Sequence, residues 1–165
     1  MAREQAGRDP EKVTAMPTSA STAETTASLV ALGTTESLRL LTGHEVGRVV
    51  YTDGGLPAVT PVNYAYDDGR VVMRTSETSR LARKAPRAIV AFEVDEVDRA
   101  VRRGWSVVVT GPCQAVTDEA RLAHIDTLGL APWASGEHKV VLEIATTIVT
   151  GYEIAPGDDS PGEDE

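Results

Sequence analysis

Residues 60–80 read TPVNYAYDDGRVVMRTSETSR, and the fold turns on where this run is divided. Val62, Tyr64 and Tyr66 recur at every second position, as in a strand with one buried face. Asp-Asp-Gly then supplies the positive φ of a tight hairpin turn. "RVVMRT" is a second strand. "SETSR", running on into "LARKA", changes the period and starts a short helix that Pro86 ends. Strands joined by so short a turn must be antiparallel neighbours, because a parallel pair needs a long crossover.

The same pattern extends in both directions. "VGRVVYT" is a strand, followed by the turn "DGG" and by "LPAVTPVNYAY", whose two prolines mark an edge or a bulge. "RAIVAFEVD" is a fourth strand. "GWSVVVTGPCQAVT" is a long fifth, bent at Gly111-Pro112. "HKVVLEIATTIVTGYEI" is a long last strand, kinked near Ala145. Helices are predicted in "GTTESLRLLTGHEV" and "DEARLAHIDTLG". In the first, Thr35 is the N-cap, Leu38, Leu40 and Leu41 form the apolar stripe and Gly43 is the stop. In the second, Asp118 stands at the start and Gly129 past the end. The expected fold is mainly β (α+β), a six-stranded antiparallel split β-barrel with two or three short helices.

Three domains of unequal character follow. Residues 1–33 are expected to be a disordered Ser/Thr/Ala-rich tail, residues 34–155 the barrel, and residues 156–165 an acidic disordered tail. The net charge is −9, and five acids in the last nine residues carry more than half of it. Such a balance disfavours nucleic acid and anionic membranes as partners. The single cysteine, Cys113, rules out a disulfide within the chain and fits a reducing compartment. No run approaches the roughly 18 apolar residues of a membrane span, and no signal-like segment stands out. A cytoplasmic location is expected.

Within "MRTSETSRLARKA", a row of hydroxyls (Thr75, Ser76, Thr78, Ser79) stands beside three bases (Arg80, Arg83, Lys84). Hydroxyl donors beside a helix start, with a planar guanidinium and a lysine one turn on, suit a phosphate. The plainer interpretation is a capped, solvated helix start. The three histidines, His44, His124 and His138, share no metal-ligand spacing, and no metal site is expected. Cys113 reads as a buried thiol. No Ser-His-Asp or Cys-His pairing supplies a catalytic group, so none is assigned.

The succession of "TPVNYAYDDGRVVMRTSETSR", "AIVAFEVD" and "WSVVVTGPCQAV" resembles the pyridoxamine 5′-phosphate oxidase-like family of flavin-binding split barrels, over residues 35–154. In that family's oxidases a strand end Tyr-Thr-Asn and a following Ser-Arg-Lys step hold the FMN phosphate. Thr75, Ser79 and Arg80 match three of those positions. Leu81 stands where the lysine would be, and Lys84 is the candidate replacement. The resemblance implies that the strand at Pro61, Val62 and Asn63 runs along the isoalloxazine ring. From the residues themselves, Ser76 is a further phosphate donor and Trp105 a candidate ring contact, with core or interface packing the plainer role for Trp105. The resemblance also implies a homodimer with FMN between the subunits, and hydride transfer at flavin N5 to or from an unknown small molecule. F420 is the alternative cofactor, and non-enzymatic flavin or haem binding the alternative function. A barrel that has lost its ligand and serves as an interaction module is a third reading, prompted by Leu81. The family's substrate-gripping arginine pair is missing after His138, where Lys139 is the only base, which disfavours pyridoxamine phosphate as substrate.

Overall fold

A computed structural model describes residues 28–133 and 136–155. The elements in chain order are β1 (Ser28–Leu32), α1 (Thr34–Thr42), β2 (Val46–Asp53), β3 (Leu56–Asp67), β4 (Arg70–Thr75), α2 (Arg80–Lys84), β5 (Ile89–Asp98), β6 (Arg103–Ala115), α3 (Glu119–Asp126), β7 (Val140–Ala145) and β8 (Ile148–Ala155). Every strand pairing is antiparallel. Six strands close a ring in the order β6-β5-β2-β3-β4-β7, with β7 returning to β6, and β8 and β1 extend the sheet beyond β6. The expected split barrel is present. No helix among the described residues is long and apolar enough to cross a membrane.

The strand count needs correction from six to eight. The expected last strand is two: β7 pairs with β4, and after a break at Thr146-Thr147 β8 pairs with β6. The other addition, β1, lies inside the stretch expected to be a disordered tail. Its five residues pair with β8 from Ser28↔Ala155 to Leu32↔Gly151, although its side chains are mostly exposed. An edge strand held by backbone bonds alone carries no burial pattern, so its sequence gives no period to read. The remainder of that tail, and residues 156–165, lie outside the described residues.

Turn chemistry places the central hairpin. Asp68 and Gly69, at φ 48° and 70°, give the two left-handed residues of the β3–β4 turn. β3 then changes partner midway: it pairs with β2 from Leu56 to Asn63 and with β4 only from Tyr64 onward. Below Tyr64 the barrel wall is open on that side. β6 also changes partner, from β5 and β8 to β7, at Gly111-Pro112. Gly111 is needed there: a β-carbon would stand 1.8 Å from the Ala145 carbonyl oxygen.

The core is filled by inward-facing residues of the ring, among them Val49, Tyr64, Val71, Phe92, Val107 and Ile144, closed by Leu41 of α1 and Leu81 of α2. The opposite face of β4 and β7 is also buried. Val72 and Val141 pack there against Ile125 of α3. The first helix is capped by Gly33, not Thr35, and the Ser37 hydroxyl donates to the Gly33 carbonyl at 3.0 Å. α3 begins as expected, with Asp118 accepting from the Arg121 amide at 2.7 Å.

Candidate functional site

The basic loop forms a small hydroxyl and cation cluster at the open seam. Ser79 is the N-cap of α2 and its Oγ accepts from the Ala82 amide at 3.0 Å. Thr75, 7% exposed, ends β4 with its Oγ1 2.9 Å from Ser79 Oγ. Two hydroxyl protons share this pair and one is consumed between them, so one remains to donate outward whichever way the bond runs. Ser76 turns away: its Oγ bonds Thr78 Oγ1 at 3.0 Å and accepts from the Thr78 amide at 3.3 Å. α2 has five residues, too short for a strong dipole, so side chains must carry any affinity for an anion.

Arg80 and Lys84 come to the same place, as their four-residue spacing predicts. Both reach Asp53, at 3.7 Å each. Asp53 ends β2, and nothing in its local sequence marks it as a partner of bases 27 and 31 positions on; the ring closure brings them together. One carboxylate against two cations leaves a net positive site, which an anion can occupy at the expense of two long, partly exposed ion pairs. Leu81 is 1% exposed and belongs to the core. Its departure from the family's lysine is therefore a packing requirement of this short helix.

The β3 strand offers the second element. The Tyr64 amide donates to the Glu45 carbonyl at 3.0 Å. With the unbroken β2–β3 register and the alternation of antiparallel ladders, even-numbered residues of β3 bond β2. Odd-numbered ones turn their backbone groups away, toward the open side. Pro57 and Pro61 both fall in the odd set, where a missing N–H costs no ladder bond. The carbonyls of Val59, Pro61 and Asn63 and the amides of Val59 and Asn63 face the seam, a row of groups that a planar heterocycle can pair with. Val62 turns its side chain to the core, so only its neighbours' backbone is available there.

Asn63 is already committed by its side chain. Its Oδ1 accepts from the Trp133 amide at 2.8 Å and its Nδ2 donates to the Glu45 carbonyl at 3.5 Å. Trp133 itself is 74% exposed. Trp105 is not brought to the Thr75–Lys84 cluster. It sits on β6, three strands from β3 in the sheet, half-buried against the core, with its ring edge-on to His44 at 4.8 Å between centroids. Packing is the role its position supports.

Elsewhere, Cys113 is buried and its thiol is pushed up to about 12 by that burial, which removes it as a nucleophile. The acids of residues 93–98 lie on a strand. β5 extends through them, Asp95 and Glu93 bind Arg48, and Glu96 lies 3.3 Å from His44 Nε2. An ionic cluster that the sequence did not signal fastens α3 to the barrel. Arg121 bonds Asp67 at 2.5 Å and the buried Glu143 at 2.6 Å, and His124 lies 3.1 Å from Asp67. The Arg121 hydrogen bond, opposed by burial and aided by His124, holds the Asp67 carboxyl below the usual carboxylate range.

The comparisons agree with this architecture. Residues 33–157 match the family described as pyridoxamine 5′-phosphate oxidase. An uncharacterized protein of Mycobacterium tuberculosis, Rv0080, is 40% identical over 138 residues, covering 81% of this chain and 90% of its own. Among solved structures, the FAD binding protein from Mycobacterium smegmatis is 31% identical with a TM-score of 0.65, over 75% of this chain and 97% of its own. A conserved protein of unknown function from Corynebacterium diphtheriae is 32% identical with a TM-score of 0.65, over 77% and 98%. Open seam, hydroxyl-and-base cluster and sequence match converge: this chain belongs to the pyridoxamine 5′-phosphate oxidase family.

Proposed function

We propose that the chain is a flavin-binding oxidoreductase that transfers a hydride between the N5 of a bound flavin and a small molecule. The observation that carries this is the meeting, at one open seam, of the unpaired β3 edge and the Thr75–Ser79–Arg80–Lys84 cluster. The ring would lie along the backbone of Val59 to Asn63. The phosphate would take the spare hydroxyl proton of the Thr75–Ser79 pair and draw Arg80 and Lys84 off Asp53. Arg80 is 77% exposed at its side chain, so the socket is open outward and admits a phosphate that continues into a second group. FAD and F420 carry such a continuing phosphate, FMN with its terminal phosphate fits the same socket, and the FAD binding protein named above favours a flavin over F420. The flavin supplies the redox chemistry, while the protein binds, orients and shields it; no side chain is given an acid or base role.

A homodimer is part of the proposal. The outer face of the ring presents an apolar row, Val59–Val50–Ala91–Thr110–Ile148, running in register across β3, β2, β5, β6 and β8. Its two ends, Val59 and Ile148, are each 57% exposed. A face of this kind beside the seam suits a second copy. Sedimentation of a monomer at micromolar concentration would count against it.

Titration of the apoprotein with FMN, FAD, F420 and riboflavin tests the main reading, and binding of none of them overturns it. Arg80→Ala is expected to weaken FMN by roughly tenfold, the worth of a partly exposed charge-assisted bond. The same substitution should change riboflavin, which has no phosphate, by less than about twofold. Equal losses for the two ligands would remove the phosphate role.

A further inference from the structure

The geometry points to a second small-molecule site, for a flat organic cation, in the cleft beneath Trp133. Two adjoining cavities of about 360 and 490 Å³ open where β2 begins and β3 changes partner, and they share His44, Glu45 and Trp133. Asn63, Tyr66 and Leu130 wall the first; Val46, Arg48 and Asp95 wall the second. Thr75, Ser79, Arg80 and Lys84 line neither, so this cleft is separate from the phosphate cluster; it lies along Asn63 to Tyr66 of β3 and shares only Asn63 with the Val59–Asn63 stretch proposed for the flavin ring.

Trp133 is the reason to expect a ligand. Its amide is tied to Asn63 Oδ1 at 2.8 Å while the residue is 74% exposed. A large aromatic ring anchored by its main chain and left uncovered is a stacking platform waiting for a partner. The charges around it select the partner's sign. Arg48, the one guanidinium on the wall, is enclosed by Asp95 and by Glu93 at 3.1 Å. His44 Nε2 lies against Glu96 at 3.3 Å, and Glu45 adds a further carboxylate to both cavities. Acids outnumber bases, so an anion is repelled. A cation gains both from these carboxylates and from the face of the indole. The cavity sizes suit a ligand of one or two rings. The chemistry described is that of a quaternised N-heteroaromatic ring or a protonated aryl amine.

The test uses three probes with one ring and three charges: the N1-methylnicotinamide cation, neutral nicotinamide and the nicotinate anion. The chain has two tryptophans, so its heteronuclear NMR spectrum carries two indole N–H signals, and Trp105→Phe assigns them. Titrating the full-length apoprotein with the cation should move the Trp133 signal saturably. Affinity should fall in the order cation, neutral, anion. Trp133→Ala should weaken the cation by about tenfold with the rest of the spectrum unchanged, and Glu45→Gln by about threefold. Equal affinity for nicotinate and the cation, or unaltered affinity in Trp133→Ala, overturns the proposal. FMN affinity, measured separately, stands or falls independently of either result.

Discussion

Arg121→Met is expected to cost about 3 kcal/mol or more and to lower the melting temperature by roughly 10 °C. The reason is Glu143. It is 3% exposed, on β7, and Arg121 Nε approaches its Oε1 at 2.6 Å. Arg70 stands at 4.0 Å, too far to replace that bond. Removing the guanidinium leaves a buried carboxylate without its main partner, and such a half-broken pair is far more costly than removing both members. The double substitution Arg121→Met with Glu143→Leu should therefore recover most of the loss. If the double variant is no more stable than the single one, the pairing is not what holds α3 on β4 and β7.

The pH dependence has a defined sign. Arg121 lowers the folded-state pKa of Asp67, so the Asp67–Arg121 contribution is complete above the ordinary carboxylate value and is lost as pH falls through the lowered one. In Arg121→Met that contribution is gone. Thermal scans of the two proteins should therefore converge only as the pH falls below about 4. A gap that stays constant with pH would argue that the lost stability is packing alone.

Gly111→Ala should be as damaging by a different route. The added methyl would lie 1.8 Å from the Ala145 carbonyl oxygen and 2.9 Å from its carbon. Both are backbone atoms, so no rotamer change relieves the clash, and the β7–β8 junction must move away from β6. That junction is held by the Thr147 amide donating to the Thr110 carbonyl at 3.2 Å. Its displacement opens the ring where β6 passes from β8 to β7. A loss of about 3 kcal/mol is expected, read as a lower urea midpoint. Gly43→Ala is the control: its φ is −83° and its β-carbon would meet only the Leu40 and Arg39 carbonyl oxygens, at 3.5 and 3.7 Å. It should be neutral or stabilise by about 0.5 kcal/mol. If Gly111→Ala behaves like the control, β6 does not depend on that close approach.

The alternating runs, the Asp-Gly turns and the helix caps were legible in the chain alone, because they are local. A two-residue period and a turn residue's φ depend on neighbours a few positions away. That was enough to find five strands of the ring, to find the sixth, β7, fused with β8, and to mark the bend at Gly111-Pro112. The hydroxyl-and-base pattern of residues 75–84 could likewise be read as a candidate anion site, because four-residue spacing on a helix puts Arg80 and Lys84 on one face.

What the tertiary structure decided were the partners. β1 has no burial pattern and exists only because β8 offers it an edge. Leu81 is a core residue only because the barrel floor lies under α2. Asp53 becomes the counter-ion of Arg80 and Lys84, and Asn63 the tether of Trp133, through closure of a ring whose contacts span tens of residues. Charge pairs, cavities and the exposure of a ring depend on which distant surfaces meet. No local preference in the sequence encodes that meeting.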